Sequence, residues 1–326
     1  MKKGLALVLS LLCVILLFTG CGGESKDVVI YSSMEDYRNA DLSQKLKEKF
    51  PDFNVKVQQI TTGNNAAKIK AEGANTEADI VLALETASYE QIAEYFAPLE
   101  GFQKNNYLPE MDNADKRCFT WEKFEGSFIV NTEVLKAKNL PEPKTYEDLL
   151  KPEYKGMIVM SNPKTSGTGY MFLNTWVNSM GEDEAFAYVE KLQANVKQFT
   201  ESGSGPVKML VQGEAAIGLG MVFQAAEQIN QGAPLKVIQP EGGAPYNTTV
   251  FGIIKGKETK ENVKKVFEYL NTEYFLFDKE NYAPGKVIEN QQIKIKNYPA
   301  DLELADMSTI TDMELKQKLL DRWNFS

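Results

Sequence analysis

Residues 157–170 have the sequence MIVMSNPKTSGTGY, in which an apolar run leads through Ser, Thr and Gly toward a second apolar segment. The run 157–161 is typical of a buried strand, and residues 171–176 are typical of a helix. The stretch is therefore a strand-to-helix turn, the unit from which open α/β sheets are built. We interpret residues 162–170 as a turn that presents free backbone N–H groups and the positive end of the helix dipole.

The side chains of this turn suit an anion. Gly167 allows a ligand to approach the backbone closely. The hydroxyls of Thr165, Ser166 and Thr168 add hydrogen-bond donors. Phosphate, phosphonate and carboxylate groups all fit this chemistry. Because Ser and Thr are also ordinary N-caps of helices, the turn taken alone leaves a purely structural role open.

The N-terminal part of the chain repeats the alternation of strand and helix. Apolar or alternating runs predict strands at residues 27–33, 54–60 and 79–84, and amphipathic spacing predicts helices at 41–50 and 66–72. This β-α-β-α-β order predicts an α/β fold with an open, largely parallel sheet. In such sheets, ligands bind beyond the carboxyl ends of the strands.

The carboxyl ends of these three strands are polar. Ser33 ends the first strand, Thr62 and Gly63 follow the second, and Glu85 follows the third. We expect them to meet at one edge of the sheet and to bind a ligand there. Glu35 and Glu85 could contact an amine or sugar hydroxyls. The alternatives are simple caps for Ser33 and Thr62, and solvated surface charges for the two glutamates.

A second α/β block lies between two extended segments. These segments, residues 125–131 and 247–254, are predicted to be crossing strands. Residues 200–206 form another turn rich in hydroxyls and glycine, and Ser202 is its candidate ligand-binding residue. Tyr246, beside the second crossing strand, either faces the ligand or packs internally.

Composition excludes several classes of function. The 326 residues include 36 basic and 45 acidic side chains, and the formal net charge of −9 argues against a nucleic-acid partner. The chain contains no histidine, so catalytic triads, general bases and metal sites that need histidine are excluded. A hydrolase would usually need a metal cluster or an activated nucleophile, and neither is recognisable. We therefore expect no enzyme activity, no cofactor and no bound metal.

The N-terminus has the features of a targeting segment. Residues 1–20 combine two lysines with an apolar core and are predicted to be a signal peptide; a transmembrane anchor is the alternative, although the segment is short for a span. Residues 18–21, FTGC, resemble a bacterial lipobox, in which Cys21 becomes diacylated. Residues 21–26 would then be a lipidated tether. Cys118 remains as an unpaired and structural thiol.

In order, these features are a lipobox, an α/β block, a crossing strand, a second α/β block, a second crossing strand and terminal helices. This order resembles the solute-binding lipoproteins of bacterial ABC importers, which have the two-lobed type II periplasmic-binding fold. The likeness is carried by residues 29–33 (VIYSS), 78–81 (ADIV), 125–131 (EGSFIVN) and 213–218 (GEAAIG), with Trp323 near the end.

The resemblance implies two lobes, each a mostly parallel sheet flanked by helices, with the ligand cleft between them. Lobe one would consist of residues 27–128 plus 249–326, and lobe two of residues 129–248. The resemblance also implies delivery of a solute to a membrane permease by a monomer. The protein would lie outside the cytoplasm, attached to the cell membrane by its lipid.

Within that family, the chain is most similar to the branch of ferric-iron, aminoethylphosphonate and sugar-phosphate binders. The iron binders use a His after the first strand and a consecutive Tyr pair in lobe two; here Glu35 stands near the first position, and residues 221–223 are Met-Val-Phe. The turn at 162–170 resembles the phosphate-holding turn of the other members. We therefore predict capture of a small phosphonate or organophosphate. The alternatives are ferric iron or a polyamine in the same fold, or a surface phosphoesterase.

Overall fold

The computed structural model describes residues 26–299 and 301–325, so the predicted signal peptide and the lipidation site Cys21 lie outside the described residues. None of the helices in these two ranges is long and apolar enough to cross a membrane. The strands are β1 (Asp27–Ser32), β2 (Asn54–Gln59), β3 (Ile80–Glu85), β4 (Phe119–Asn131), β5 (Ile158–Ser161), β6 (Val196–Thr200), β7 (Ile217–Met221), β8 (Leu235–Ile238) and β9 (Tyr246–Ile253).

Helices connect most of these strands. The α-helices are α1 (Asp36–Lys49), α2 (Thr62–Glu72), α3 (Thr86–Glu90), α4 (Thr132–Ala137), α5 (Gly167–Met180), α6 (Glu182–Leu192), α7 (Gly205–Val211), α8 (Val222–Asn230), α9 (Glu261–Tyr269), α10 (Phe275–Asn281) and α11 (Met313–Arg322). One π-helical turn, Leu270–Tyr274, joins α9 to α10.

Lobe one is built on a sheet with the strand order β2-β1-β3-β9-β4. β1 pairs in parallel with β2 and β3, and β9 runs antiparallel to β3 and β4. Parallel neighbours require crossover connections, which α1 and α2 provide. β3 is buried along its whole length because it lies in the middle of a sheet that is covered on both faces.

Lobe two repeats this topology with the strand order β6-β5-β7-β4-β8. β5 pairs in parallel with β6 and β7, and β4 runs antiparallel to β7 and β8. The prediction of an α/β fold with two similar lobes therefore agrees with the strand pairing. Each sheet has an antiparallel strand next to its parallel core.

β4 belongs to both sheets. Its residues up to Glu125 pair with β9, and its residues from Gly126 onward pair with β7 and β8. At the change of partner, the N–H of Gly126 donates to the carbonyl of Pro245 at 2.7 Å. The predicted crossing strand, residues 125–131, is thus the second half of a longer strand that starts at Phe119.

Apolar clusters cover both faces of each sheet. In lobe one, Trp121 belongs to the cluster on one face and Tyr89 to the cluster on the other. In lobe two, the larger cluster surrounds Trp176, and the smaller one contains Ile129 and Val159. Because the faces are occupied by packing, the ends of the strands are the parts of each sheet that remain for a ligand.

The C-terminal segment packs on lobe two. Leu319 and Trp323 belong to the cluster around Trp176, and the rings of Trp323 and Phe199 meet edge to face at 5.6 Å. The sequence assigns residues 249–326 to lobe one, whereas Leu319 and Trp323 pack their side chains against lobe two. The amphipathic pattern of α11 predicts a helix, but it contains no information about which lobe receives the apolar face.

Several elements differ from the sequence prediction. α5 begins at Gly167, so the end of the predicted turn is the first turn of the helix. The spacing of Ile92 and Phe96 predicts a helix over residues 88–96, but α3 ends at Glu90. β6 and α8 were not predicted. β6 is a half-exposed edge strand without apolar alternation, and α8 follows β7 without any intervening turn residues.

Candidate functional site

A cavity of about 60 Å³ lies between the lobes, at the carboxyl ends of their parallel strands. We call it the cleft cavity. Most of the predicted ligand-binding residues line it. They are Ser33, Glu35, Thr62 and Glu85 from lobe one, and Ser166, Gly167, Thr168 and Ser202 from lobe two. The structure therefore brings together polar groups that are widely separated in sequence.

The lobe-two wall begins with the first turn of α5. Ser166 is its N-cap, and the Ser166 Oγ accepts from the N–H of Gly169 at 3.4 Å. Gly167 lies against lobe one, where an added Cβ would be 3.1 Å from Glu85 Cγ. A side chain at this position would require Glu85 to shift by a few tenths of an ångström. The close approach brings the N-terminus of α5, with its positive dipole, to the junction of the lobes.

The turn at 202–204 completes this wall. Ser202 Oγ and Ser204 Oγ lie 2.7 Å apart, and Ser204 precedes α7, which has Pro206 in its first turn. Gly203 packs against α5, because a Cβ there would be 3.0 Å from the Cβ of Thr168. The two turns of lobe two thus touch and present their hydroxyls side by side.

Lobe one contributes the end of β1 and the start of α2. The side-chain amide of Asn65 donates to Ser33 Oγ at 3.2 Å, whereas Asn65 Oδ1 is buried without a hydrogen-bond partner among the described residues. Thr61 precedes α2, and its hydroxyl is likewise buried and without a partner in the part of the chain that the structure describes. Buried polar groups of this kind usually require a partner, which a bound ligand or water can supply.

Glu85 lies at the end of β3 and is 1% exposed. It forms an ion pair with Lys316 of α11, and Ser88 donates to it through its N–H at 3.0 Å and its hydroxyl at 2.6 Å. Burial alone would raise the pKa of Glu85, but Lys316, Ser88 and Asn247 hold that pKa below its ordinary value. The predicted ligand residue Glu85 is therefore an anion whose charge is already compensated.

Glu35 belongs to a second buried network. The guanidinium of Arg38 lies 3.0 Å from Glu35 and 2.7 Å from both Glu122 and Asp278. Burial raises the pKa of Glu35 above its ordinary value, although Arg38 opposes the shift. Burial would also raise the pKa of Asp278, but Arg38 and Lys279 outweigh it and lower that pKa. Glu35 is therefore easier to protonate than an ordinary glutamate.

Three predicted residues lie outside the cleft cavity. The N–H of Gly63 donates to the carbonyl of Thr165 at 3.3 Å, a direct backbone contact between the lobes. The Thr165 hydroxyl donates to the carbonyl of Glu201 at 2.8 Å. Tyr246 pairs with Glu125 in the β4–β9 ladder and packs against the large apolar cluster of lobe two. Of the two alternatives for Tyr246, the structure therefore has internal packing.

Cys118 lies in lobe one and is 1% exposed. Burial raises the pKa of its thiol to about 12, so the nucleophilic thiolate is scarcely populated at neutral pH. This agrees with the expectation of a structural thiol. Within the described ranges, no group of three or more His, Cys, Asp and Glu side chains is arranged to hold a metal ion.

A family model of bacterial extracellular solute-binding proteins matches residues 75–275, which is more than half of the chain. The chain belongs to this family. The solute-binding protein is also 30% identical over 277 residues to an uncharacterised protein of Haemophilus influenzae, covering 81% of this chain and 78% of that protein. It is 23% identical over 271 residues to the iron uptake protein A1 of Synechocystis, and the match covers 77% of this chain and 72% of that protein.

A solved structure shares the architecture of this solute-binding protein. It is the periplasmic binding protein AfuA from Actinobacillus pleuropneumoniae with exogenous fructose 6-phosphate bound, with a TM-score of 0.78 and 26% identity over 92% of this chain and 98% of that one. The predicted type II periplasmic-binding fold and the predicted family are thereby confirmed. The protein is an extracytoplasmic binding protein of the ABC-importer type and not an enzyme.

Sequence analysis of this solute-binding protein missed several residues at the site, four of which bear or balance its charges or add a hydroxyl. Glu122 and Thr249 line the cleft cavity, and Arg38 and Lys316 pair with its carboxylates. One signal was available for Glu122, because it lies in a strand-like stretch and a carboxylate that is buried in a strand needs a partner. No sequence signal pointed to Lys316, because its partner Glu85 lies 231 residues away.

Proposed function

We propose that this solute-binding protein captures a small phosphonate, such as aminoethylphosphonate, or an organophosphate, and delivers it to the membrane permease of an ABC importer. The convergence of two helix N-termini with hydroxyl side chains, those of α2 and α5, on one interlobe cavity carries the proposal. Free N–H groups and dipole ends attract an anion, and hydrogen bonds to a charged group are strong where water is excluded.

In this proposal, lobe two holds the acidic group. The hydroxyls of Ser166, Thr168 and Ser202, with the backbone N–H groups of the first turn of α5, donate to phosphoryl oxygens. Ser33 and Thr62 add donors from lobe one when the lobes close. An arginine is unnecessary, because aligned backbone and hydroxyl donors can compensate the ligand's charge.

The opposite end of the ligand meets the carboxylates of lobe one. Glu35 and Glu122 line the cleft cavity and can accept hydrogen bonds from an amine or from sugar hydroxyls. Glu85 contributes less, since Lys316 and Ser88 already occupy its oxygens. Fructose 6-phosphate, the ligand in AfuA, has an acidic group and hydroxyls. A ligand of this kind suits a cavity with hydrogen-bond donors in lobe two and carboxylate acceptors in lobe one.

We also propose how the chain is divided and attached. Lobe one comprises residues 27–128 and 249–299, and lobe two comprises residues 129–248 with the C-terminal residues 304–325. Cys21 carries the lipid that attaches the protein to the membrane, and the protein acts as a monomer. The packing of α11 on lobe two supports this revision of the boundary.

A thermal-shift screen of the chain from residue 24 onward tests the proposed ligand class. The compounds are aminoethylphosphonate, inorganic phosphate, hexose phosphates, ferric citrate and spermidine. A ligand that binds only the folded state raises the melting temperature by mass action. We expect a rise with the phosphonate or the hexose phosphates. A rise with ferric citrate alone or spermidine alone would contradict the proposal and support the iron or polyamine alternative.

A further inference from the structure

A second cavity, of about 170 Å³, adjoins the cleft cavity. Thr62, Ser166 and Gly167 line both cavities, so the two share a wall at the N-termini of α2 and α5. The rest of the second cavity is formed by α2 and α3 of lobe one, the turn before α5 in lobe two, and α11. This space is therefore complete only when the two lobes are together.

The second cavity has a basic lining. Lys70 of α2, Lys164 of the turn and Lys316 of α11 line it, and no carboxylate occurs among its described lining residues. Lys316 is paired with Glu85 in the adjoining wall. Lys70 and Lys164 are exposed and form no ion pair with any residue in the described ranges. Two lysines from opposite lobes therefore face this space without a counter-charge, on a chain whose formal net charge is −9.

We propose that the second cavity binds a second acidic group of the same solute. The preferred ligands would then have a phosphoryl group in the cleft cavity and a phosphate or carboxylate between Lys70 and Lys164. This inference rests on the proposed function, because it assumes an anion at the shared wall. An acidic chain repels polyanions overall, so a local pair of lysines offsets that repulsion where the ligand enters. One ligand would also bridge the lobes and stabilise their closed arrangement.

Matched ligand pairs test this inference on the full-length chain in detergent. Propylphosphonate and 3-phosphonopropionate differ by one carboxylate, and fructose 6-phosphate and fructose 1,6-bisphosphate differ by one phosphate. Isothermal titration at low salt should show that the added acidic group tightens binding about tenfold. At about 1 M salt, where the screening length is about 3 Å, most of that gain should disappear.

The double variant Lys70→Ala/Lys164→Ala should bind both members of each pair with similar affinity. The control Lys136→Ala/Lys138→Ala removes the same charge from exposed residues at the end of α4 and should keep the tenfold gain. Equal binding of paired ligands by the wild type, or a gain that survives in the Lys70/Lys164 variant, would overturn the second site and leave the proposed function intact. If none of the four ligands binds, the proposed function fails and the inference fails with it.

Discussion

The ammonium of Lys316 forms a buried ion pair with the carboxylate of Glu85, which lies 231 residues earlier in the chain. Lys316 also donates to Ser88 Oγ at 3.0 Å, and its Nζ lies 4.6 Å from the centre of the Tyr170 ring. Because α11 packs on lobe two and β3 belongs to lobe one, this pair joins the lobes beside the cleft cavity. It also compensates a carboxylate that would otherwise repel an anionic solute.

Replacing Lys316 should destabilise the fold. We expect Lys316→Met to lower the free energy of unfolding by about 3 kcal/mol, because it leaves Glu85 buried without a counter-charge. Urea unfolding at neutral pH measures this change. In the control Lys318→Met, an exposed ion pair with Glu182 is lost at a cost of at most about 1 kcal/mol. Similar losses in both variants would contradict the structural role of the buried pair.

The same pair should appear in the dependence of stability on pH. The pKa of Glu85 in the folded chain lies below its ordinary value of 4.5. The ionised Glu85 therefore contributes its full share of the free energy of unfolding above about pH 4.5. This share is lost as the pH falls through the lower pKa of the folded state. We expect Glu85→Gln to lose less stability than the wild type over this acidic range. Free energies of unfolding that fall in parallel for the two proteins would be the opposite result.

Thr168 should contribute a hydroxyl donor to the anion. Thr168→Val keeps the shape of the side chain and removes the hydroxyl, so we expect affinity for the phosphonate or sugar phosphate to fall about tenfold. Titration calorimetry measures the change. Thr175→Val is the matched control, since that hydroxyl lies in the same helix and donates to the carbonyl of Met171 at 2.9 Å. An unchanged affinity in Thr168→Val would remove this residue from the site.

Gly63 should control closure of the lobes. A Cβ at Gly63 would collide with the carbonyl oxygen of Lys164 in lobe two. We expect Gly63→Ala to weaken ligand binding at least about tenfold and to prevent the compaction that X-ray scattering would detect on ligand addition. The substitution itself suits α2, because alanine favours a helix over glycine by about 0.5–1 kcal/mol. Normal compaction of Gly63→Ala on ligand addition would refute this role. The control is Asn64→Ala, at the exposed neighbouring position, which should compact as the wild type does.

Local patterns predicted much of the fold. The apolar runs of β1 and β3 appear in the structure where periodicity places them, and the helices predicted at residues 41–50 and 66–72 overlap α1 and α2. Serine is a preferred N-cap residue, and Ser166 caps α5 in the structure. The expectation that strand ends meet at one edge placed Ser33 and Thr62 in one cavity, because the parallel topology alone dictates that outcome.

The sequence by itself therefore determined the order of strands and helices, the caps and the polar edge of each sheet, since these depend on residues a few positions apart. Only the tertiary structure decided which charges meet, because such pairs form when topology brings distant elements together. Arg38 reaches Asp278 across 240 residues, and Lys316 reaches Glu85 across 231. The same packing placed the half-buried Tyr246 against the apolar cluster of lobe two and brought apolar residues of α11 into that cluster. Buried apolar area decides these contacts, and local periodicity has no influence on them.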